Sequence, residues 1–276
     1  MKNFKKLLLT ASALATVMGL AACGQDKPKI NEEKPKTEQT SDAKTEDTKS
    51  DKKGEETAEK TEETEKKGEV GEISGEDLNK ALADKKQKEE YLVLDVRPKE
   101  QYDEGHVEWA VSMPVDEIED NIDRIKQYDG HKKIVTICNT GKKSSEAAEK
   151  LAEHGLDVLN AVGVKDFEYD PMTKVEFILG DTLQEIADKD SDEYYIIDAR
   201  EEKDFNEGHL KGAHNIFVDD IDEHMSEIPK DKTIVTYCYS GNKSYTIAQK
   251  LMDNGWEKVL NGTDGTKEWE FDLVQD

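Results

Sequence analysis

Cysteine is scarce, with three in 276 residues. That excludes a small scaffold stapled by many disulfides. Positive charge is also short: 39 Lys and Arg stand against 64 Asp and Glu, a formal net charge of −25. A chain this acidic lacks the basic face that phosphate backbones require, so nucleic acid is excluded as a partner. Apolar residues make up 34% of the chain and aromatics 7%, too few to fill one compact globule of this length. The longest apolar run, residues 7–22, is shorter than the roughly 20 residues that a membrane-spanning helix needs. No His, Cys and Asp grouping has metal-ligand spacing. Neither a metal nor a cofactor is expected.

What the chain has is unevenly placed. A basic start, "KNFKK", precedes the apolar run, and "LAAC" then sets small residues just ahead of Cys23. This order reads as an export signal. It resembles the lipobox of bacterial lipoproteins, which implies cleavage after residue 22, lipid on the Cys23 sulfur, and a place on the outer face of the cell membrane. More than one acyl chain gives stable anchoring. Residues 24–72 then hold 16 acids and 11 bases and no aromatic residue. Such a segment cannot bury enough apolar area to offset its ordering entropy. The expected organisation is therefore a leader over 1–22 and a disordered tether over 23–68. A flexible tether of that length reaches about 40 Å from its anchor.

Beyond the tether the chain repeats itself. "YLVLDVRPKEQYDEGHV" (Tyr91–Val107) matches "YYIIDAREEKDFNEGHL" (Tyr194–Leu210) at an offset of 103. "KIVTICNTGKKS" (Lys133–Ser144) matches "TIVTYCYSGNKS" (Thr233–Ser244) at an offset of 100. The difference lies in a longer segment between Ile118 and Lys133 of the first copy. Two homologous domains follow, over 69–171 and 172–276. In each, short apolar runs bounded by polar turns read as buried parallel strands. "ISGEDLNKALAD" reads as a helix opened by Ser74, and "SSEAAEKLAEHG" as one capped by Ser144 and stopped by Gly155. Its second-copy counterpart is capped by Ser244 and stopped by Gly255. Strands alternating with helices predict an α/β fold, a parallel sheet covered on both faces.

The chemistry falls between a strand and a helix. In the first copy Cys138 ends a strand and opens the loop Asn139, Thr140, Gly141, Lys142, Lys143, Ser144. In the second, Cys238 opens Tyr239, Ser240, Gly241, Asn242, Lys243, Ser244. Open α/β sheets bind ligands at the carboxyl ends of their strands. Loop amides and a helix N-terminus converge there into an anion cradle. The same field lowers a thiol's pKa and favours the thiolate. The two cysteines could instead be buried small hydrophobes, or a disulfide pair. Matched Gly and Lys at the same spacing speak against the first, and their place on separate domains against the second.

Both copies resemble rhodanese domains, the sulfurtransferase superfamily. The resemblance rests on "DVR" (Asp95–Arg97) with "EGH" (Glu104–His106) and "CNTGKKS", and on "DAR" (Asp198–Arg200) with "EGHLKGAHNI" and "CYSGNKS". It implies two tandem domains, each a parallel five-stranded sheet flanked by helices. It also implies that Cys138 or Cys238 takes sulfane sulfur from a donor such as thiosulfate and passes the persulfide sulfur to a thiol or cyanide. The loop residues then bind the substrate, and the hydroxyls of Ser144 and Ser244, most simply helix caps, could instead face a bound persulfide. Asp95, Arg97, Asp198 and Arg200 are structural neighbours of the site, as are His106 and His209. The six residues from cysteine to lysine match the family's sulfur-handling loop, where related phosphatases use seven. Lys143 and Lys243 stand where these sulfurtransferases usually carry Arg, which trades a bidentate fork for a point charge. The first copy departs further, with Trp109 where the second has Gly212, so the second is the firmer candidate for activity. A thiol redox enzyme using the same cysteines, or a non-catalytic binding module, are the alternatives. A protein acceptor is not specified by the sequence.

Overall fold

The computed structural model describes residues 66–275. The expected leader, the lipid-bearing Cys23 and residues 23–65 of the expected tether lie outside the described residues.

The first copy runs β1 (Val70–Ile73), α1 (Gly75–Ala83), β2 (Tyr91–Asp95), α2 (Lys99–Glu104), β3 (His106–Val107), β4 (Ala110–Ser112), α3 (Ile122–Lys126), β5 (Lys133–Ile137), α4 (Lys142–Glu153) and β6 (Val158–Ala161). The second runs β7 (Met172–Thr173), β8 (Glu176–Ile178), α5 (Gly180–Lys189), β9 (Tyr194–Asp198), α6 (Glu202–Glu207), β10 (Ala213–Asn215), α7 (Ile221–His224), β11 (Thr233–Tyr237), α8 (Asn242–Asp253) and β12 (Val259–Gly262). The central strands β5 and β11 are buried on both faces beyond their first residue. That is why they read as near-continuous apolar runs. The threonines within them, Thr136 and Thr236, are fully buried and satisfied: Thr136 donates to Ser144 O at 2.9 Å and Thr236 to Asn261 Oδ1 at 2.9 Å.

Each copy forms five parallel strands, in the orders β1-β6-β5-β2-β4 and β8-β12-β11-β9-β10. The two sets are halves of one ten-stranded sheet. The edge strands β4 and β8 pair in parallel, with Val111 opposite Phe177. Met172 and Thr173, at the head of the second repeat, pair antiparallel with β3 of the first. Val274 makes the matching bridge to His209. Polar groups interlock the halves as well. His106 Nε2 lies 3.0 Å from Val175 O, and Tyr102 OH accepts from Phe177 N–H at 3.1 Å. Lys132 reaches Asp264 and Glu268, both at 2.8 Å, while Tyr128 OH donates to Asp264 at 2.7 Å.

The helix ends follow local chemistry, with one correction. Ser74 caps α1 by accepting the Asp77 N–H at 3.1 Å. Gly155 and Gly255, with φ of 90° and 88°, end α4 and α8 in left-handed backbone. Leu156 N–H and Trp256 N–H then reach back to Leu151 O and Leu251 O, the Schellman pattern. Ser144 and Ser244 are not the expected N-caps. Gly141 and Gly241 take that position at φ 78°, so each helix begins at the very next residue. Both serines fall inside the first turn, with their hydroxyls turned back to Gly141 O at 3.1 Å and Gly241 O at 3.0 Å.

Candidate functional site

β5 and β11 deliver Cys138 and Cys238 to the carboxyl edge of the sheet, where both are buried free thiols. The loop after each sulfur bends back because its glycine adopts left-handed backbone, which costs other residues about 1–2 kcal/mol. In the first copy that bend turns the start of α4 toward the sulfur. Cys138 Sγ accepts from the Ser144 N–H and from the Ser144 hydroxyl, both at 3.3 Å. Burial pushes the Cys138 thiol up, but the Ser144 hydroxyl and the amides of Ser144, Thr140 and Lys143 outweigh it, so the thiol titrates below its usual value. At Cys238 the corresponding contact is the Ser244 hydroxyl at 3.5 Å. Two donors thus reach the Cys138 sulfur and one reaches the Cys238 sulfur. The reason is geometric: the Ser144 hydroxyl and amide close on their sulfur together.

The remaining loop residues face different surroundings. In the first loop Asn139 donates to Gln101 Oε1 at 2.7 Å, Gly141 is half-buried, and Thr140, Lys142 and Lys143 are exposed. In the second loop Tyr239 OH donates to Asp204. The Lys243 ammonium lies 4.8 Å from the Phe217 ring centre and 5.5 Å from that of Tyr239. Ser240 and Gly241 are buried and Asn242 is half-buried. Lys143 is thus open to solvent, whereas the Lys243 ammonium lies over two aromatic rings.

Asp95 and Arg97 form a buried ion pair at 2.6 Å, and Arg97 also donates to Gly105 O at 2.9 Å. Asp198 and Arg200 repeat this, with Gly208 O at 2.6 Å. Each pair ties a strand end to the Glu-Gly-His turn. His106 stacks on Tyr102 of α2 at 3.5 Å and His209 on Phe205 of α6 at 3.8 Å, so each turn is packed against the helix before it.

Four residues near the loops were not singled out as site residues from the sequence. Asn160 Nδ2 donates to Gly141 O at 3.4 Å and Asn261 Nδ2 to Gly241 O at 3.3 Å. Their signal was the matched "LN" of β6 and β12. Lys88 and Trp109 of the first copy touch the second copy's loop. Trp109 was visible as a departure from Gly212, whereas Lys88 sits in a run of charges that reads as solvated. Among the described residues no helix is long and apolar enough to cross a membrane, and no group of three or more His, Cys, Asp and Glu could hold a metal ion.

Two parallel-sheet domains, each with a buried cysteine in the glycine-containing loop between a strand and a helix, define a class of thiol-bearing α/β protein. Both match the rhodanese-like domain, over residues 76–165 and 180–272, and the chain belongs to that family. A protein described as uncharacterized YqhL of Bacillus subtilis is 36% identical over 74 residues, which are 27% of this chain and 59% of that protein. A sulfurtransferase of Allochromatium vinosum is 35% identical over 80 residues, 29% of this chain and 75% of its own. A thiosulfate sulfurtransferase structure from Pseudomonas aeruginosa aligns with 74% of this chain and 43% of its own, at 16% identity and a TM-score of 0.33.

Proposed function

We propose that this chain is a sulfurtransferase that carries sulfane sulfur as a cysteine persulfide. The observation that carries the reading is the Cys138 loop. A thiol held toward its thiolate form by a hydroxyl and amides sits beside two exposed lysines. The Allochromatium relative, a sulfurtransferase, supports the same activity. The thiolate attacks the outer sulfur of thiosulfate. A bond forms between Sγ and that sulfur as the thiosulfate S–S bond breaks, and sulfite leaves with the electron pair. Cyanide or a thiolate then attacks the terminal persulfide sulfur. The new S–S bond breaks, its electron pair returns to Sγ, and thiocyanate or a persulfide of the acceptor departs. Amides aimed at the sulfur stabilise the anionic persulfide between the two steps. Lys142 and Lys143 raise the local concentration of an anionic donor on an otherwise acidic protein.

The test is thiosulfate-to-cyanide transfer by the detergent-solubilised full chain, read as thiocyanate. Cys138→Ser is expected to lower the rate by a factor of at least about ten. A parent that makes no thiocyanate with its thiols reduced overturns thiosulfate as donor. A rate unchanged in both Cys138→Ser and Cys238→Ser overturns the persulfide mechanism.

The site of action is proposed to be the outer face of the cell membrane, through lipid on Cys23. The support is the basic, apolar and small-residue order of residues 2–23. Cells expressing the chain should incorporate labelled palmitate into it, and Cys23→Ser should abolish the label. An unlabelled parent in the soluble fraction would contradict the anchor.

A further inference from the structure

Lys88 belongs to the first domain, on the 3-10 turn Gln87–Glu90, and is 4% exposed. Its ammonium donates to the main-chain carbonyl of Ser240 and, at 3.4 Å, to that of Thr263. Both acceptors belong to the second domain. The ammonium lies 4.2 Å from the centre of the Trp109 indole, another first-domain side chain. Trp109 holds φ 70°, a left-handed conformation that its counterpart Gly212 reaches at φ 73°. A bulky residue persists there only when its surroundings over-determine it. The surroundings are Phe177 and Tyr245, each with a ring centre 5.0 Å from that of Trp109. The far edge of the indole meets Gly241, where an added Cβ would lie 3.3 Å from Trp109 Cζ3. Asn242 completes the contact by donating to Lys85 O at 3.2 Å and to Glu89 Oε1 at 3.3 Å. Three successive residues of the Cys238 loop are therefore braced from the first domain. The Cys138 loop is held instead by Gln101 and Asn160 of its own domain.

We propose that Lys88, seated by Trp109, is a positioning residue for Cys238, so that the second site depends on the first domain for its reactivity. The C=O and N–H of a trans peptide point opposite ways. Holding the Ser240 carbonyl toward Lys88 turns the Gly241 N–H away from the first domain. Burial pushes the Lys88 ammonium below its usual pKa, and Glu89, Asp264, Glu268 and Lys132 surround it, so Lys88 acts by placing the loop backbone rather than by its field. Fixing three successive residues of the loop after Cys238 sets how its sulfur meets an incoming electrophile. The inference rests on Cys238 acting as a sulfur nucleophile, but its test does not require sulfur transfer.

Iodoacetamide labelling of the full chain, resolved by peptide mass spectrometry from about pH 6 to about pH 10, follows both cysteines at once. Lys88→Met is expected to label Cys238 about tenfold more slowly at neutral pH. The Cys138 profile stays in place as the internal control. Lys88→Arg should restore part of the rate, and Trp109→Gly should slow Cys238 in the same direction. The proposal is overturned by an unmoved Cys238 profile in folded Lys88→Met, by equal movement of both cysteines, or by a Cys238 unreactive in the parent. If Lys88→Met does not fold, Trp109→Gly decides by the same criteria. A parent whose Cys238 labels normally but which makes no thiocyanate would reject thiosulfate as donor and leave this proposal standing.

Discussion

A hydroxyl carries one proton, and the Ser144 hydroxyl has two acceptors, Cys138 Sγ at 3.3 Å and Gly141 O at 3.1 Å. It can serve the carbonyl while the sulfur is a thiol and turn to the sulfur once it is anionic. That is a charge-assisted bond made only when needed. A thiol pKa below the usual value places the thiolate at lower pH, so the pH profile of Cys138 alkylation shifts down. Its midpoint is expected below the roughly 8.5 of an ordinary cysteine. Ser144→Ala removes the hydroxyl and keeps the amide, and should raise that midpoint by about half a unit to one unit. A parent midpoint at the ordinary value, or no rise in the variant, would contradict the assignment. The cysteine and serine were legible at this scale because both recur at fixed positions in two copies. The dual bonding of Ser144 was only half legible: a serine ahead of a helix reads first as a cap and second as a hydroxyl that can face the sulfur.

At the scale of the element, the strand–loop–helix unit turns on Gly141 and Gly241. Both hold φ 78°, but their surroundings differ. The nearest atom to a Cβ at Gly141 is Asn160 Nδ2 at 4.0 Å, whereas at Gly241 it would fall 2.7 Å from Gly262 O and 2.9 Å from Thr263 O. Gly141→Ala should therefore cost only the left-handed backbone penalty, about 1–2 kcal/mol. Gly241→Ala meets rigid main chain as well and should cost clearly more. Urea denaturation of the two variants checks the order, and equal losses would mean the main chain at 262–263 yields freely. The glycines themselves could be read from the sequence. Their unequal crowding could not, since the crowding atoms come from another strand.

Across the whole molecule, the joint between halves concentrates charge out of water. Lys132 is the shared partner of Asp264 and Glu268, and its side chain is 10% exposed against 1% and 14% for theirs. Removing one member of such a cluster strands the others. Lys132→Met is expected to cost about 3–5 kcal/mol. Circular dichroism and tryptophan fluorescence should shift together in urea, because the two halves share one sheet and one joint. Two separated transitions in the parent would show that the halves unfold independently.

The sequence by itself determined the repeat, the parallel α/β class, the strand that delivers each cysteine and the glycine that ends each major helix. These depend on apolar period, turn residues and spacing within a few positions, all written in the local chain. It did not determine that two five-stranded sheets become one, because a single edge pairing, Val111 with Phe177, leaves no local pattern. Nor did it determine which sulfur is better held, since the two loops match in length and differ in sub-ångström hydrogen-bond geometry. Lys88 and the Ser240 carbonyl lie 152 residues apart. Only the tertiary structure lifts that lysine out of a solvated run of charges and buries it against the loop of the other domain.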